Sequence, residues 1–403
     1  MKHILSFIFL VSCCCHIVAA QDSYKNPSAV KSLAVDSLKP FRVAVFAPLF
    51  LDSAFDGNTY TISSKSIPAF IVPGLDFFNG ISLAIDSLEK EKDKISLQVQ
   101  IIDVRSAGQN FKKLLETGDI HADLFIASFQ GRYEMGLLAN YAWANKIPLI
   151  SSTYPNAAGI KDNPYFILLN PTLPSQLEGI TKYVQKNHSL DKLVYYKRSG
   201  NNEDNQIRSL FDQFNARGGK IAVKPVVVDL PYNITKENLL QKLDSTKQNI
   251  IIGGSLNEVF AQKLVKALST LPAKYKYKII GMPTWDGVKL NTENVPVVYS
   301  TPYNFLRTDK AVLRVAALYK AKLNGKANDM VFKGFESMYH FAKLFAKYRD
   351  SFLENISSKD FKVFSEFDIQ PVSIYKNTYI DFQENKKLYF IQKLGGATTV
   401  LKN

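Results

Sequence analysis

The chain has 403 residues, of which 46% are hydrophobic and 12% aromatic, and this is the composition of a globular protein with two or three domains. Its formal net charge of +14 comes from 50 lysines and arginines against 36 acids. The cations are interleaved with acids, as in SLEKEKDK, and form no arginine-rich run. They therefore favour a solvated surface over a nucleic-acid-binding patch.

The first 20 residues have the layout of a secretory signal peptide, with a basic head, an apolar stretch and small residues up to Ala20. They also contain all three cysteines. Cleavage after Ala20 would remove the cysteines, whereas LVSC resembles a bacterial lipobox in which Cys13 becomes the acylated first residue. A thiol or metal site is disfavoured, because its ligands would leave with the peptide. We predict an exported protein in which the polar residues 21–40 form a linker.

From residue 41 onward, short apolar runs alternate with amphipathic stretches. The first half predicts strands at 41–50, 95–104, 122–129 and 147–153, separated by helices at 75–90, 107–118 and 132–146. Because the strands are nearly continuous apolar runs, this order predicts a parallel sheet that helices cover on both faces.

The same alternation then begins again. It predicts strands at 192–198, 220–229, 249–255 and 277–283, with helices at 174–188, 203–217, 236–244 and 256–269. Another strand at 295–301, helices at 310–322 and 333–348, and short strands within 361–394 complete the chain. Two series of about equal length predict an α/β protein with two lobes, each a doubly wound parallel sheet.

Catalytic motifs are missing from the sequence. It has no G-x-S-x-G, no G-x-x-x-x-G-K-[ST], no G-x-G-x-x-G and no H-E-x-x-H. Beyond the signal, histidine occurs only at His121, His188 and His340, without the paired spacing of metal ligands. We therefore expect neither an enzyme nor a bound metal or cofactor.

Small polar residues instead lie at the ends of predicted strands on both lobes. In open parallel sheets, ligands bind beyond the carboxyl ends of the strands. Hydroxyls there suit a carboxylate, and an acid suits an ammonium group; the alternative is that each serine or threonine only caps a helix. The residues at these ends are Ser128, Ser151, Ser152, Thr153, Ser255, Trp285 and Asp286.

The order of elements over residues 41–403 resembles the type I periplasmic binding protein family, and within it the branched-chain amino-acid-binding proteins of ABC importers. FRVAVFAPLF followed by PGLDFFNGISLAIDSL is similar to that family's first strand, loop and helix. NKIPLISSTYPN and KIIGMPTWDGV are similar to the strand ends that build its ligand site. KGFESMYHFAKLF resembles a late helix, with Phe335 and Glu336 where Tyr and Asp are usual.

The resemblance implies two lobes joined by crossover hinge strands, which we divide into lobe 1 (41–153 and 286–372) and lobe 2 (154–285 and 373–403). It implies that Ser128, Ser152 and Thr153 hold a ligand's carboxylate, and that Ser255 and Asp286 complete the site from lobe 2. Three departures leave the ligand open: a long loop at 51–73, serine where an aromatic is usual at 255, and Asp where Glu is common at 286.

The implied function is capture of a small zwitterionic ligand, an amino acid, in the periplasm for a membrane ABC permease. No cofactor or nucleic acid takes part, and the protein acts as a monomer or dimer. The alternative is an envelope sensor, or a regulator of peptidoglycan synthesis resembling the LppC-type lipoproteins, that acts through a protein partner. The fold alone does not separate these roles.

Overall fold

The structure is a computed structural model that describes residues 40–63, 66–106, 110–217, 222–373 and 379–401. The predicted signal peptide, with Cys13, and most of the predicted linker lie outside the described residues. Both sheets of the folded body belong to one compact unit within Lys39–Asn403. Among the described residues, no helix combines the length and the apolar character needed to cross a membrane.

The described part of the chain contains sixteen strands. They are β1 (Phe41–Ala47), β2 (Phe55–Asp56), β3 (Thr59–Tyr60), β4 (Leu97–Asp103), β5 (Leu124–Ala127), β6 (Leu149–Ser151), β7 (Phe166–Leu168), β8 (Lys192–Arg198), β9 (Val226–Leu230), β10 (Gln248–Gly253), β11 (Lys276–Ile280), β12 (Val297–Thr301), β13 (Ile369–Val372), β14 (Phe382–Asn385), β15 (Tyr389–Leu394) and β16 (Ala397–Leu401).

Ten α-helices lie between these strands in the described ranges. They are α1 (Leu51–Ala54), α2 (Val72–Glu89), α3 (Phe111–Thr117), α4 (Arg132–Asn145), α5 (Leu173–Asn187), α6 (Asn202–Arg217), α7 (Lys236–Leu240), α8 (Glu258–Ser269), α9 (Lys310–Leu323) and α10 (Asp329–Tyr348). Short 3-10 turns lie at Pro283–Asp286 and Arg349–Ser351.

Two seven-stranded sheets form the lobes. The first has the order β13-β14-β7-β6-β5-β1-β4, and the second has the order β16-β15-β12-β11-β10-β8-β9. Six neighbouring strands of the first sheet are parallel, and the antiparallel strand β13 forms its edge. Five neighbouring strands of the second sheet are parallel, and the antiparallel strands β15 and β16 complete it at one edge. The predicted α/β architecture with two parallel-dominated sheets is confirmed.

Alternate side chains of β1 belong to different cores, as expected for a sheet with helices on both faces. Val43 and Val45 pack in a core with α2 and α10, whereas Ala44 and Phe46 pack in a core with α3 and α4. Glycines allow α2 and α10 to approach each other closely. A Cβ on Gly334, for example, would lie only 2.1 Å from a main-chain oxygen of α2. This contact fixes α10, which carries two residues of the cleft described below, Asp329 and Lys333.

The chain passes between the sheets three times. It leaves the first sheet after β7 to enter α5, returns between β12 and α9, and crosses again between β14 and β15. The connecting segments are therefore 169–172, 302–309 and 386–388. Glu384 lies on β14, the strand that precedes the third crossing, and its buried carboxylate stabilises the first crossing. It accepts hydrogen bonds from Thr172 N (2.6 Å) and Ser175 Oγ (2.8 Å).

The sheet memberships correct the predicted lobe boundaries. The prediction placed β7 and β14 in lobe 2 and β12 in lobe 1, whereas β7 and β14 lie in the first sheet and β12 lies in the second. Which sheet a strand joins is decided by its pairing: β7 pairs with β6, β14 with β7, and β12 with β11. Apolar periodicity identifies a strand but does not identify its partner.

The predicted short strands also differ in detail from those observed. Residues 361–368 do not form a strand, because the main-chain N–H groups of Phe364 and Ser365 donate to the buried carboxylate of Glu336, at 2.8 and 2.5 Å. Helix α10 begins at 329 rather than 333, since the side chain of Asn328 accepts from the N–H groups of its first turn.

Candidate functional site

Two adjoining cavities lie between the sheets, at the carboxyl ends of strands from both lobes. Their volumes are about 430 and 490 Å³, which is within the usual range for small-molecule sites. Four residues line both cavities: Asp286, Thr301, Tyr303 and Lys333. The first cavity is also lined by Asn156 of lobe 1 and by Asn170 of the first connecting segment. We refer to the two cavities together as the cleft.

Asp286 enters the cleft from the second lobe. It ends the 3-10 turn that follows β11, and the preceding residue, Trp285, is fully buried and donates its indole N–H to the main-chain carbonyl of Ser255 at 2.9 Å. Lys393 Nζ donates to the main-chain carbonyl of Asp286 at 2.9 Å and lies 3.8 Å from its Oδ1. Burial, and then the neighbouring Asp286 carboxylate, raise the pKa of Tyr299. The position of Asp286 is thus fixed by the buried Trp285 before it and by the hydrogen bond from Lys393 to its main-chain carbonyl.

Lys333 enters the cleft from the first lobe, on α10. Its Nζ lies 4.6 Å from the centre of the Tyr303 ring, which is a cation–π contact. Burial lowers the pKa of Lys333, and the charges of Asp286 and Asp329 oppose this shift. Asp329, at the start of the same helix, pairs with Arg307 at 2.6 Å. The two lobes therefore present an acid and a base to one shared space.

Ser128 and Thr153 lie together at the ends of β5 and β6. Their hydroxyl oxygens are 3.1 Å apart, and Thr153 Oγ1 is also 3.4 Å from the main-chain carbonyl of Phe129. Asn170 Nδ2 donates to the main-chain carbonyl of Thr153 at 3.3 Å. Although neither hydroxyl residue lines the cavities, Asn170 connects this pair directly to the cavity wall.

Ser152 and Ser255 are completely buried and bonded within the protein. Ser337 of α10 donates its hydroxyl to Ser152 Oγ at 2.8 Å, and Tyr303 OH donates to the main-chain carbonyl of Ser152. Ser255 Oγ accepts from the N–H of Asn257, the cap of α8, at 3.2 Å. These bonds connect neighbouring elements, and neither side chain lines the cleft.

Of the five predicted site residues, the structure therefore places Asp286 on the cleft wall, Ser128 and Thr153 behind it, and Ser152 and Ser255 in the protein interior. Five further residues line the cleft and were not predicted from the sequence: Asn170, Thr301, Tyr303, Lys333 and Lys393. Thr301 ends a strand, so the rule that selected the serines also applies to it. Lys333 is the first residue of KGFESM, two residues before Phe335, but nothing in the sequence distinguishes it from a surface lysine.

No cluster of three or more potential metal ligands is present among the described residues. His340 is buried in lobe 1, beside Phe341 and Phe367, and burial lowers the pKa of its imidazole to about 4. His188 instead pairs with Asp191 at 2.8 Å. His188 and His340 thus take part in local pairing and packing.

No protein-family model matches the sequence, and no curated protein matches it significantly. Solved structures do match the fold. A proposed branched-chain amino acid ABC transporter from Rhodospirillum rubrum has a TM-score of 0.63 and 13% identity, covering 90% of this chain and 100% of that one.

Two further similar structures contain amino acids. An ABC transporter substrate-binding protein from Desulfitobacterium hafniense in complex with Leu has a TM-score of 0.55 at 9% identity, covering 90% of this chain and all of that one, 100%. The branched-chain amino acid transporter substrate-binding protein from Streptococcus pneumoniae in complex with isoleucine has a TM-score of 0.52 at 16% identity, covering 91% and 100%. The chain has the type I periplasmic binding protein fold, as its sequence predicted.

Proposed function

We propose that the protein is an exported solute-binding protein that captures a small zwitterionic ligand, an amino acid, and delivers it to a membrane ABC permease. The observation that carries the proposal is the cleft, in which Asp286 of one lobe and polar groups of the other line the same cavities at the carboxyl ends of both sheets. Ligands bind at this position in open α/β sheets. Similar structures that contain leucine or isoleucine support the same class of ligand.

In this proposal, Asp286 accepts the ligand's ammonium group. The carboxylate binds toward Ser128 and Thr153, whose adjacent hydroxyls can both donate, with Asn170 between them and the cavity. Ser152 and Ser255 support these groups through their internal hydrogen bonds instead of touching the ligand. Binding closes the two lobes about the three crossings, and no bond of the ligand is made or broken.

Ligand-induced stabilisation tests the proposal. A ligand that binds only the folded state at about a hundredfold excess over Kd raises the free energy of unfolding by about 2.7 kcal/mol. We expect thermal shifts with one or more amino acids, leucine and isoleucine included in the screen, and smaller or no shifts with short peptides and cell-wall fragments. The absence of a shift with every amino acid would overturn the proposed function.

Export is tested separately, at the N-terminus of the mature protein. Mass spectrometry of the protein purified from its own cells distinguishes a chain that starts at Gln21 from one that starts at a lipid-modified Cys13. A chain that still starts at Met1 would contradict export by either route.

A further inference from the structure

The charges of the second cavity do not balance. Its charged lining residues are Arg307, Lys333 and Lys393 against Asp286 and Asp329, so three cations against two acids leave one positive charge in excess. Arg307 pairs with Asp329 at 2.6 Å, and Lys393 lies 3.8 Å from Asp286 Oδ1. The excess charge therefore belongs to Lys333.

Lys333 has an aromatic neighbour but, among the described residues, no acid within ion-pair distance, and the charges of Asp286 and Asp329 act on it from farther away. Its Nζ faces the Tyr303 ring at 4.6 Å, and in the described ranges it forms no ion pair. A partly buried cation without a counter-charge is costly, and a cation in a ligand cleft gains its counter-charge when an anion binds. Lys333 and Asp286 are also the two charged residues of the first cavity, so one ligand can reach both.

We propose that the ligand is an amino acid with a second carboxylate, and that Lys333 binds this side-chain carboxylate. The proposal rests on the proposed function, which places the α-ammonium at Asp286 and the α-carboxylate toward Ser128 and Thr153. A neutral side chain would leave the ammonium of Lys333 buried against it without a partner. A ligand with one net negative charge instead neutralises the excess charge of the second cavity.

Titration calorimetry with L-glutamate, L-aspartate, L-glutamine and L-leucine tests this assignment. We expect the wild-type protein to bind a dicarboxylic amino acid more than about tenfold tighter than glutamine, because the amide is nearly isosteric but uncharged. Added NaCl weakens the binding of the dicarboxylic ligand more than that of glutamine.

The variant Lys333→Met keeps most of the length of the unbranched side chain and removes its charge. We expect it to weaken the dicarboxylic ligand by more than about tenfold and glutamine by less than about threefold. Lys320→Met, on the exposed face of α9, is the matched control and leaves both affinities unchanged. Thermal unfolding checks that Lys333→Met is folded, and the wild-type comparison of glutamate with glutamine holds even when it is not.

The outcomes separate the two proposals. If neutral amino acids bind as tightly as glutamate and aspartate or more tightly, the proposal of an anionic ligand is overturned and the proposed solute-binding function stands. An equal loss for glutamate and glutamine in Lys333→Met overturns the side-chain assignment, because Lys333 would then hold the α-carboxylate. Failure of every amino acid to bind the wild-type protein overturns both proposals.

Discussion

The indole ring of Trp285 lies so close to Gly281 that a Cβ on residue 281 would stand 2.3 Å from its Cε3 atom. Gly281 directly follows β11, and Trp285 is held in place by its hydrogen bond to the carbonyl of Ser255. Asp286 is the next residue, so the packing of the indole determines where the carboxylate enters the cleft.

Gly281→Ala tests this dependence. The added methyl group overpacks a fully buried site, and we expect the free energy of unfolding to fall by about 1–3 kcal/mol and amino-acid affinity to fall with it, as Asp286 is displaced. Denaturant unfolding and calorimetry measure the two effects. The control is Gly287→Ala in the same turn, where a Cβ would meet nothing within 4 Å. Equal stability of the two variants would show that the indole moves freely.

Asp286→Asn removes the charge that we assign to the ligand's ammonium group. We expect affinity for the amino acid to fall by more than about tenfold, because a buried ammonium group loses its ionic partner. Calorimetry measures the change, and Asp93→Asn, on an exposed residue between α2 and β4, is the control. Unchanged affinity would remove Asp286 from the site.

The variants Thr153→Val and Ser152→Ala distinguish a residue proposed to bind the ligand from one that supports the site by an internal hydrogen bond. Thr153→Val removes a hydroxyl proposed to bind the carboxylate, so we expect affinity to fall about tenfold. It also leaves the buried Ser128 hydroxyl without its partner, so we expect the free energy of unfolding to fall by about 1–3 kcal/mol as well. Ser152→Ala leaves the Ser337 hydroxyl without its partner in the protein interior, and we expect a loss of about 1–3 kcal/mol in unfolding free energy with affinity nearly unchanged. Affinity that falls in Ser152→Ala and stays unchanged in Thr153→Val would exchange the roles of the two residues.

The succession of strands and helices could be predicted because each central strand is a buried apolar run. Leu124–Ala127, for example, is buried at every position and was predicted within two residues of its ends. Phe166–Leu168 was missed, because three residues are too few to establish a period. The lobe boundaries depended on that strand and on the sheet that each later strand joins, which is a property of long-range pairing.

The candidate site divides in the same way. The position of Asp286 at the cleft could be predicted because it lies in the short turn that follows a strand, and position after a strand is a local property of the sequence. Lys333 could not, since a lysine on an amphipathic helix is usually solvated. Only the close packing of α10 on α2 and the crossing segment that carries Tyr303 bring its side chain to the cleft.

Glu336 provides a test of lobe 1 that depends on pH. Burial raises the pKa of its carboxyl to about 7, although the N–H groups of Ser365 and Phe364 oppose the shift. The unfolded glutamate has a pKa of about 4.3, so between about pH 4.3 and 7 the folded state binds more protons than the unfolded state. The free energy of unfolding must therefore fall as pH rises through this window, by up to about 4 kcal/mol.

The neutral variant Glu336→Gln lacks this loss. We expect its stability relative to the wild-type protein to increase from about pH 5 to pH 7 in denaturant unfolding and to level off above that. The lowered pKa of His340 makes stability rise with pH in the lower part of the range, but it acts equally in both proteins and cancels in the difference. Glu354→Gln, on an exposed glutamate, is the control. A difference between Glu336→Gln and the wild-type protein that does not change with pH would mean that the buried carboxyl remains ionised, held by its three donors in the segment at Phe364 and Ser365.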